Sequence, residues 1–185
     1  IHFDENGICD ACNYAEIKKQ INWEDREKEL LELLNRFRRN DGQFDVIVPG
    51  SGGKDSVMTA HLLRFKYNMN PLLVTWPPIL YTDIGRENFD AWLRMGFANY
   101  SYFPNQKVHK LLTKLAFENL LHPFQPFTIG QKNLAPKLAL LLDIPLVFYG
   151  EHEAEYGSNI KVTQSSQRDI NSFAGEIDLN KIYLG

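Results

Sequence analysis

The sequence predicts an α/β fold, a parallel sheet with helices on both faces. Three observations lead there. Short apolar runs recur at 44–48, 71–76, 99–103 and 144–149, and the stretches between them carry helical periodicity. A glycine-rich turn at 50–53 joins the first run directly to a helical stripe. The chain has 185 residues at 44% hydrophobic content, enough to bury one sizeable core. Strands separated by helices at this interval need crossover connections, and therefore run parallel.

Taken in order, residues 1–15 read as a turn-rich segment, with Asn6 and Gly7 ahead of Cys9 and Cys12. Asn22 is placed to cap a helix reaching Asn40, with acids in its first turn, arginines in its last, and Leu30, Leu33, Leu34 and Phe37 as its apolar stripe. Residues 44–48 form the first strand, and a helix runs from Ser56 with a stripe of Val57, Ala60, Leu62 and Leu63. The strand at 71–76 comes next, then a helix over 88–96, an extended stretch at 99–103 and a helix over 108–121. A helix over 131–142 is expected to start at Asn133 as N-cap, with Pro136 tolerated in its first turn. The last strand, 144–149, runs into Gly150, Glu151, His152, Glu153 and Glu155.

The formal net charge of −3 gives no broadly basic surface for nucleic acid. No stretch approaches the roughly 20 apolar residues of a membrane-spanning helix, and no signal peptide opens the chain, so the expectation is a cytoplasmic protein. Ile1 at the start and Leu184-Gly185 at the end lead us to expect a piece of a longer protein.

In open parallel sheets ligands bind beyond the carboxyl ends of the strands. VIVPGSGGKDS at 46–56 lies at such an end. It is no Walker A loop: Val48 stands where the first glycine belongs, and Asp55 rather than a hydroxyl residue comes after Lys54. Its glycines still let backbone N–H groups converge on an anion, and the adjoining helix adds its positive dipole end. Ser51 and Ser56 supply hydroxyls, and Lys54 a compact positive charge. Asp55 would repel a bare phosphate, which favours a magnesium–nucleotide complex with Asp55 as a Mg²⁺ ligand. The plainer alternative is a tight turn whose glycines only permit packing.

SGGKDS at 51–56, between a strand and a helix, resembles the PP-loop (SGGxDS) of the ATP pyrophosphatases, which cleave ATP between its α and β phosphates. That resemblance implies an adenine-nucleotide α-hydrolase-like parallel sheet over 21–157, preceded by a small cysteine-containing segment at 1–20 and followed by a partial extension at 158–185. It also implies that Ser51, Gly52, Gly53 and Ser56 cradle pyrophosphate, with Lys54 paired to it and Asp55 holding Mg²⁺. Thr75 and Trp76, at the end of the second strand, are candidates for adenosine contact, by backbone bonds or stacking. For Trp76 a half-buried core position is an equal alternative.

FDENGICDACNYAEIK at 3–18, INWEDREKELLELL at 21–34 and YGEHEAEYG at 149–157 extend the likeness. Together with the loop they resemble the N-acetyl sugar amidotransferases of surface-polysaccharide (lipopolysaccharide) and nonulosonic-acid biosynthesis. The resemblance implies an ATP-dependent enzyme that converts a sugar acetamido group to an acetamidino group and releases AMP and pyrophosphate. Its implied partners are a nucleotide-activated N-acetyl sugar and a separate glutaminase and cyclase-like pair that delivers ammonia. Gly150 allows close approach at a strand end. The carboxylates of Glu151, Glu153 and Glu155 with the imidazole of His152 can bind Mg²⁺, orient a sugar, or hold and deprotonate ammonium. The resemblance favours Glu151 and Glu155, alongside Lys54 and Asp55, as catalytic residues; the alternative is a solvated acidic loop.

Cys9 and Cys12 form a C-x-x-C pair, half of a zinc knuckle. The chain holds two cysteines, so a structural Zn²⁺ needs further ligands from elsewhere. In the resembled family another C-x-x-C lies upstream. A thioredoxin-like motif would start a helix after a strand, which the turn-rich reading does not give. His61, His109 and His122 read as solvated or satisfied positions. Tyr100, Tyr102, Phe124 and Phe127 can stack on a sugar or base, with core packing the plainer reading. Two rival functions stand beside the amidotransferase: a tRNA-modifying PP-loop enzyme of thiolase or lysidine-synthetase type, and a non-catalytic ATP-binding module.

Overall fold

The structure is a computed structural model that describes residues 3–151. It is an α/β fold around a four-stranded, all-parallel sheet of order β3-β2-β1-β4, with β1 Val46–Pro49, β2 Pro71–Thr75, β3 Asn99–Ser101 and β4 Leu146–Val147. The chain lays β2 and β3 on one side of β1, then crosses to add β4 on the other. The strand order thus reverses between β1 and β4, the position at which such sheets open a crevice at their carboxyl ends.

Pleating explains the two-sided core. Val46, Val48 and Leu73 turn to one face, where they meet Leu34, Ala60, Leu63, Met69, Phe89 and Trp92. Ile47, Leu72 and Val74 turn to the other and meet Leu134, Ala135, Leu138 and Ile144. Burial on both faces is why these strands read as continuous apolar runs. Asp45, buried at the entry to β1, accepts from Asn70 N–H (2.8 Å) and donates its own N–H to Asn70 O (3.2 Å), which fixes the β1–β2 register.

The helices are α1 Asp10–Lys19, α2 Trp23–Phe37, α3 Lys54–His61, α4 Asp83–Arg94, α5 Gln106–Leu120 and α6 Gln125–Leu141. Asn22 caps α2 as the sequence suggests, accepting from the N–H groups of Glu24 and Asp25. Of its apolar stripe, Leu34 is buried and Leu30 packs against the core, but Leu33 is exposed. Helix α4 begins five residues earlier than expected, because Thr82 caps it through Gly85 N–H. The expected start of α6 is also corrected. The helix begins at Gln125, with Pro126 in its first turn, while Asn133 lies mid-helix and donates to Ile129 O (2.8 Å) and Pro136 is interior. Residues 10–19 are helical, not turn-like: Cys9 makes a bridge with Phe3, and α1 starts at the next residue. Among the described residues no helix is long and apolar enough to cross a membrane.

Candidate functional site

β1 ends at Pro49, and the turn beyond it is held from three sides. Gly50 N–H donates to Val74 O (2.9 Å), and Gly50 O accepts from the Thr75 hydroxyl (2.8 Å). That hydroxyl in turn accepts from Trp92 Nε1 (3.1 Å). Thr75 is fully buried, so its side chain fastens the turn to β2, and its carbonyl is taken by Tyr102 N–H. Gly52 has φ +90°, and a Cβ there would stand 2.4 Å from Asn88 O of α4. Gly150, beyond β4, lies so close to the first turn of α3 that a Cβ would stand 2.8 Å from the Asp55 carbonyl carbon. The turn is therefore wedged between β2, α4 and the segment after β4.

Helix α3 starts at Lys54, and Gly53 O accepts both the Val57 N–H (3.1 Å) and the Ser56 hydroxyl (3.0 Å). The earliest N–H groups of a helix have no acceptor of their own in that helix. Here they emerge beside a cleft of about 270 Å³. Pro49, Gly50, Ser51, Gly53, Asp55 and Ser56 form one wall; Val74 and Trp76 form its floor. Gln131, Lys132 and Leu134 of α6 face them, and Tyr149, Gly150 and Glu151 close the β4 side. The cleft thus occupies the carboxyl end of the sheet where the strand order reverses.

Most residues singled out in the sequence converge here. Ser51, Gly53, Asp55, Ser56, Trp76, Gly150 and Glu151 line the cleft. Gly52 shapes the turn from behind. Lys54 does not line it: its ammonium group lies on the Asp55 carboxylate, 2.6 and 2.8 Å from the two oxygens, with the side chain 87% exposed. His152, Glu153 and Glu155 lie outside the described residues, as does the expected extension at 158–185. Lys132 and Gln131 carry no signal in the sequence, since only the folding of α6 against the turn brings them to it. Chemically, the wall of backbone N–H groups and the α3 dipole suit an anion, Lys132 supplies a positive charge across from them, and Asp55 and Glu151 present carboxylate oxygens of the kind magnesium takes.

Trp76 is the shared wall between this cleft and a second one of about 350 Å³. Gly130 of α6 makes room for it, because a Cβ there would fall 2.2 Å from the indole. The second cleft also borders on Tyr102, Asn105, Val108, His109 and Ile129. Tyr100, Tyr102 and Phe124 are exposed rather than core residues, and the Tyr102 ring leans on Trp76 with centroids 5.3 Å apart. His109 is neither solvated nor satisfied: it is buried, its Nε2 has no partner, and burial holds its pKa below the ordinary imidazole value.

Cys9 and Cys12 are free thiols with sulfurs 3.4 Å apart, close to the roughly 3.8 Å that two sulfurs span on one tetrahedral zinc with bonds of about 2.3 Å. The N–H of Cys12 and the Cys12 thiol pull the Cys9 pKa down, while hydrogen bonding with Cys9 pushes that of Cys12 up. The geometry fits half a zinc site. Among the described residues no group of three or more His, Cys, Asp or Glu comes together to complete one.

No family model matches the chain. A stretch of 74 residues, 40% of the chain, is 36% identical to an uncharacterized protein of Methanocaldococcus jannaschii. The match spans about a quarter of that relative's length (26%). The relative is itself uncharacterized, so the likeness brings no activity with it.

Proposed function

We propose that the protein is a PP-loop ATP pyrophosphatase acting as an N-acetyl sugar amidotransferase in the cytoplasm, in lipopolysaccharide or nonulosonic-acid biosynthesis. The observation that carries the nucleotide half of this reading is the cleft at the strand reversal, where the SGGKDS turn, the start of α3, Lys132, Asp55 and Glu151 face one space. The acceptor half rests on the sequence resemblance.

The amide carbonyl of an acetamido group is a weak electrophile and its oxygen a poor leaving group. In the proposed reaction that oxygen attacks the α-phosphorus of ATP, the bond to the bridging oxygen breaks, pyrophosphate leaves, and the amide nitrogen gives up its proton. The product is an O-adenylyl imidate. Ammonia then adds to the imidate carbon and AMP departs, leaving the acetamidino group. The chain's part is to hold the triphosphate in line and to offset charge as pyrophosphate leaves. Backbone N–H groups of 51–56 and the side chains of Ser51 and Ser56 would hold the β and γ phosphates, with Lys132 opposite. Asp55, released from the Lys54 ammonium that lies on it here, would hold magnesium, which supplies charge neutralisation. Trp76 would flank the adenosine, while Thr75 keeps Gly50 in place. Glu151, with Glu155 from beyond the described residues, would receive the proton of ammonium, since only neutral ammonia attacks. Cys9 and Cys12 would form half of a structural zinc site, and metal analysis showing no zinc in the full-length protein would remove that part.

The test is AMP and pyrophosphate release from ATP in the presence of nucleotide-linked N-acetyl sugars and an ammonium salt. Stoichiometric AMP with a sugar product that has gained one nitrogen in place of an oxygen supports the reading. Tight ATP binding with no AMP under any sugar would leave a passive nucleotide-binding module instead.

A further inference from the structure

The second cleft is not accounted for by the nucleotide. Its walls are built from the residues just after β2 (Trp76) and β3 (Tyr102), α5 (Val108, His109) and α6 (Ile129, Gly130), and none of its lining residues is charged among those described. A triphosphate would be desolvated there without compensation. At about 350 Å³ it falls within the range of small-molecule sites, roughly 300–1,000 Å³. Two aromatic faces, tilted 34° to each other, offer apolar surfaces on which a flat ring face can lie.

Two residues that line this cleft carry buried polar atoms without partners, Trp76 Nε1 and His109 Nε2, and His109 is only 7% exposed. Leaving a buried polar group without a partner is costly, so native chains seldom keep two at one place without use for them. Burial also keeps the imidazole neutral, so that His109 exchanges hydrogen bonds rather than charge. The indole N–H is a donor only, and matches an acceptor such as a sugar hydroxyl oxygen. Trp76 borders the first cleft as well, so a ring in the second lies one indole away from the proposed triphosphate.

We infer that this second cleft seats the acceptor's sugar as an uncharged, N-acylated pyranose ring, with ring hydroxyls at Trp76 Nε1 and His109 Nε2 and its N-acyl group left to reach past Trp76 to the triphosphate. The inference rests on the amidotransferase reading and deepens it. A cleft without cationic side chains takes a neutral hexose-type ring and disfavours a carboxylated nonulosonic acid.

Binding followed by indole nuclear magnetic resonance tests this without any turnover. The chain has three tryptophans, whose indole ¹H–¹⁵N peaks are assigned by Trp76→Phe and by the buried Trp92, which also reports an intact fold. The probes are UDP-N-acetylglucosamine, CMP-N-acetylneuraminate, UDP alone and α,β-methylene-ATP with magnesium. UDP-N-acetylglucosamine is expected to move the Trp76 peak, UDP alone to leave it, and the carboxylated sugar to bind at least tenfold more weakly. Val108→Trp, which fills the cleft, and His109→Phe, which keeps its bulk but removes Nε2, should each weaken that sugar at least tenfold. Both should leave the ATP analogue within about twofold. Sugars that leave Trp76 unmoved while the ATP analogue binds would overturn the inference. So would equal binding of the carboxylated sugar, or a Val108→Trp variant that loses the ATP analogue instead. Failure of the ATP analogue to bind the parent protein strikes the nucleotide reading alone, because the sugar titration is read separately.

Discussion

Replacing Gly52 with alanine puts a methyl group where the α4 backbone already stands. Two costs add. The residue has φ +90°, and holding an L-residue in left-handed backbone costs roughly 1–2 kcal/mol. The new Cβ would lie 2.4 Å from Asn88 O and 2.8 Å from Asn88 C, so the turn and α4 must separate by at least several tenths of an ångström. Overpacking of this kind typically costs about 1–3 kcal/mol. Together they give about 2–5 kcal/mol, a large share of the 5–15 kcal/mol that holds a domain together. Gly53 is the internal control. It has nothing within 4 Å of an added Cβ and serves as N-cap of α3 with φ −67°. Gly53→Ala should cost no more than about 1 kcal/mol, the usual scale of N-cap substitutions. Urea unfolding of both variants checks the difference. If Gly52→Ala loses no more stability than Gly53→Ala, the turn is not pinned against α4 and the wedged geometry of the site is wrong.

Thr75→Val should destabilise by about 1–3 kcal/mol, because Trp92 Nε1 and Gly50 O both lose their partner in the core, whereas Thr75→Ser should retain most of it; thermal melts decide. Lys132→Ala should depress pyrophosphate release more than Lys54→Ala, since Lys132 lines the cleft and Lys54 lies on Asp55 outside it, and Asp55→Ala should abolish release with the fold intact; initial rates rank the three. Gly130→Ala must displace Trp76, whose ring would be 2.2 Å from the new methyl, so it should weaken the ATP analogue and shift the Trp76 fluorescence. For His109 the folded pKa lies below its ordinary 6.5, so the unfolded chain binds the extra proton. Its contribution to stability is then complete above pH 6.5 and is lost as pH falls below that value. Asp4, Glu27 and Asp41, held below their ordinary 3.8 to 4.5, add their losses only at lower pH. His109→Gln should flatten the decline that begins below about pH 6.5 in denaturation midpoints.

The sheet is legible in the sequence because its strands are buried on both faces, which leaves Val46, Ile47, Val48 and Leu72, Leu73, Val74 as unbroken apolar runs. The turn is legible because its glycines and hydroxyls are contiguous. Helix starts set by one side chain read well at Asn22 and badly at Asn133, where a good capping residue lies mid-helix because Gln125 and Pro126 have already begun α6. That error hides Gly130, Gln131 and Lys132. Their place is decided by how α6 packs across the sheet, at long sequence separation from the turn they face, and no local pattern records it. Lys54 shows the converse: adjacency in a motif suggests a phosphate contact, while its side chain goes to the charge of its neighbour Asp55. His109 looks unremarkable in sequence, and only burial beside Trp76 marks it.

A crystal structure of the protein with α,β-methylene-ATP and magnesium addresses the central claim most directly. The account predicts the β and γ phosphates against the N–H groups of residues 51–56, with Lys132 across from them and the adenosine beside Trp76. A triphosphate bound anywhere else, or none bound while the 51–56 turn keeps its present shape, would contradict it.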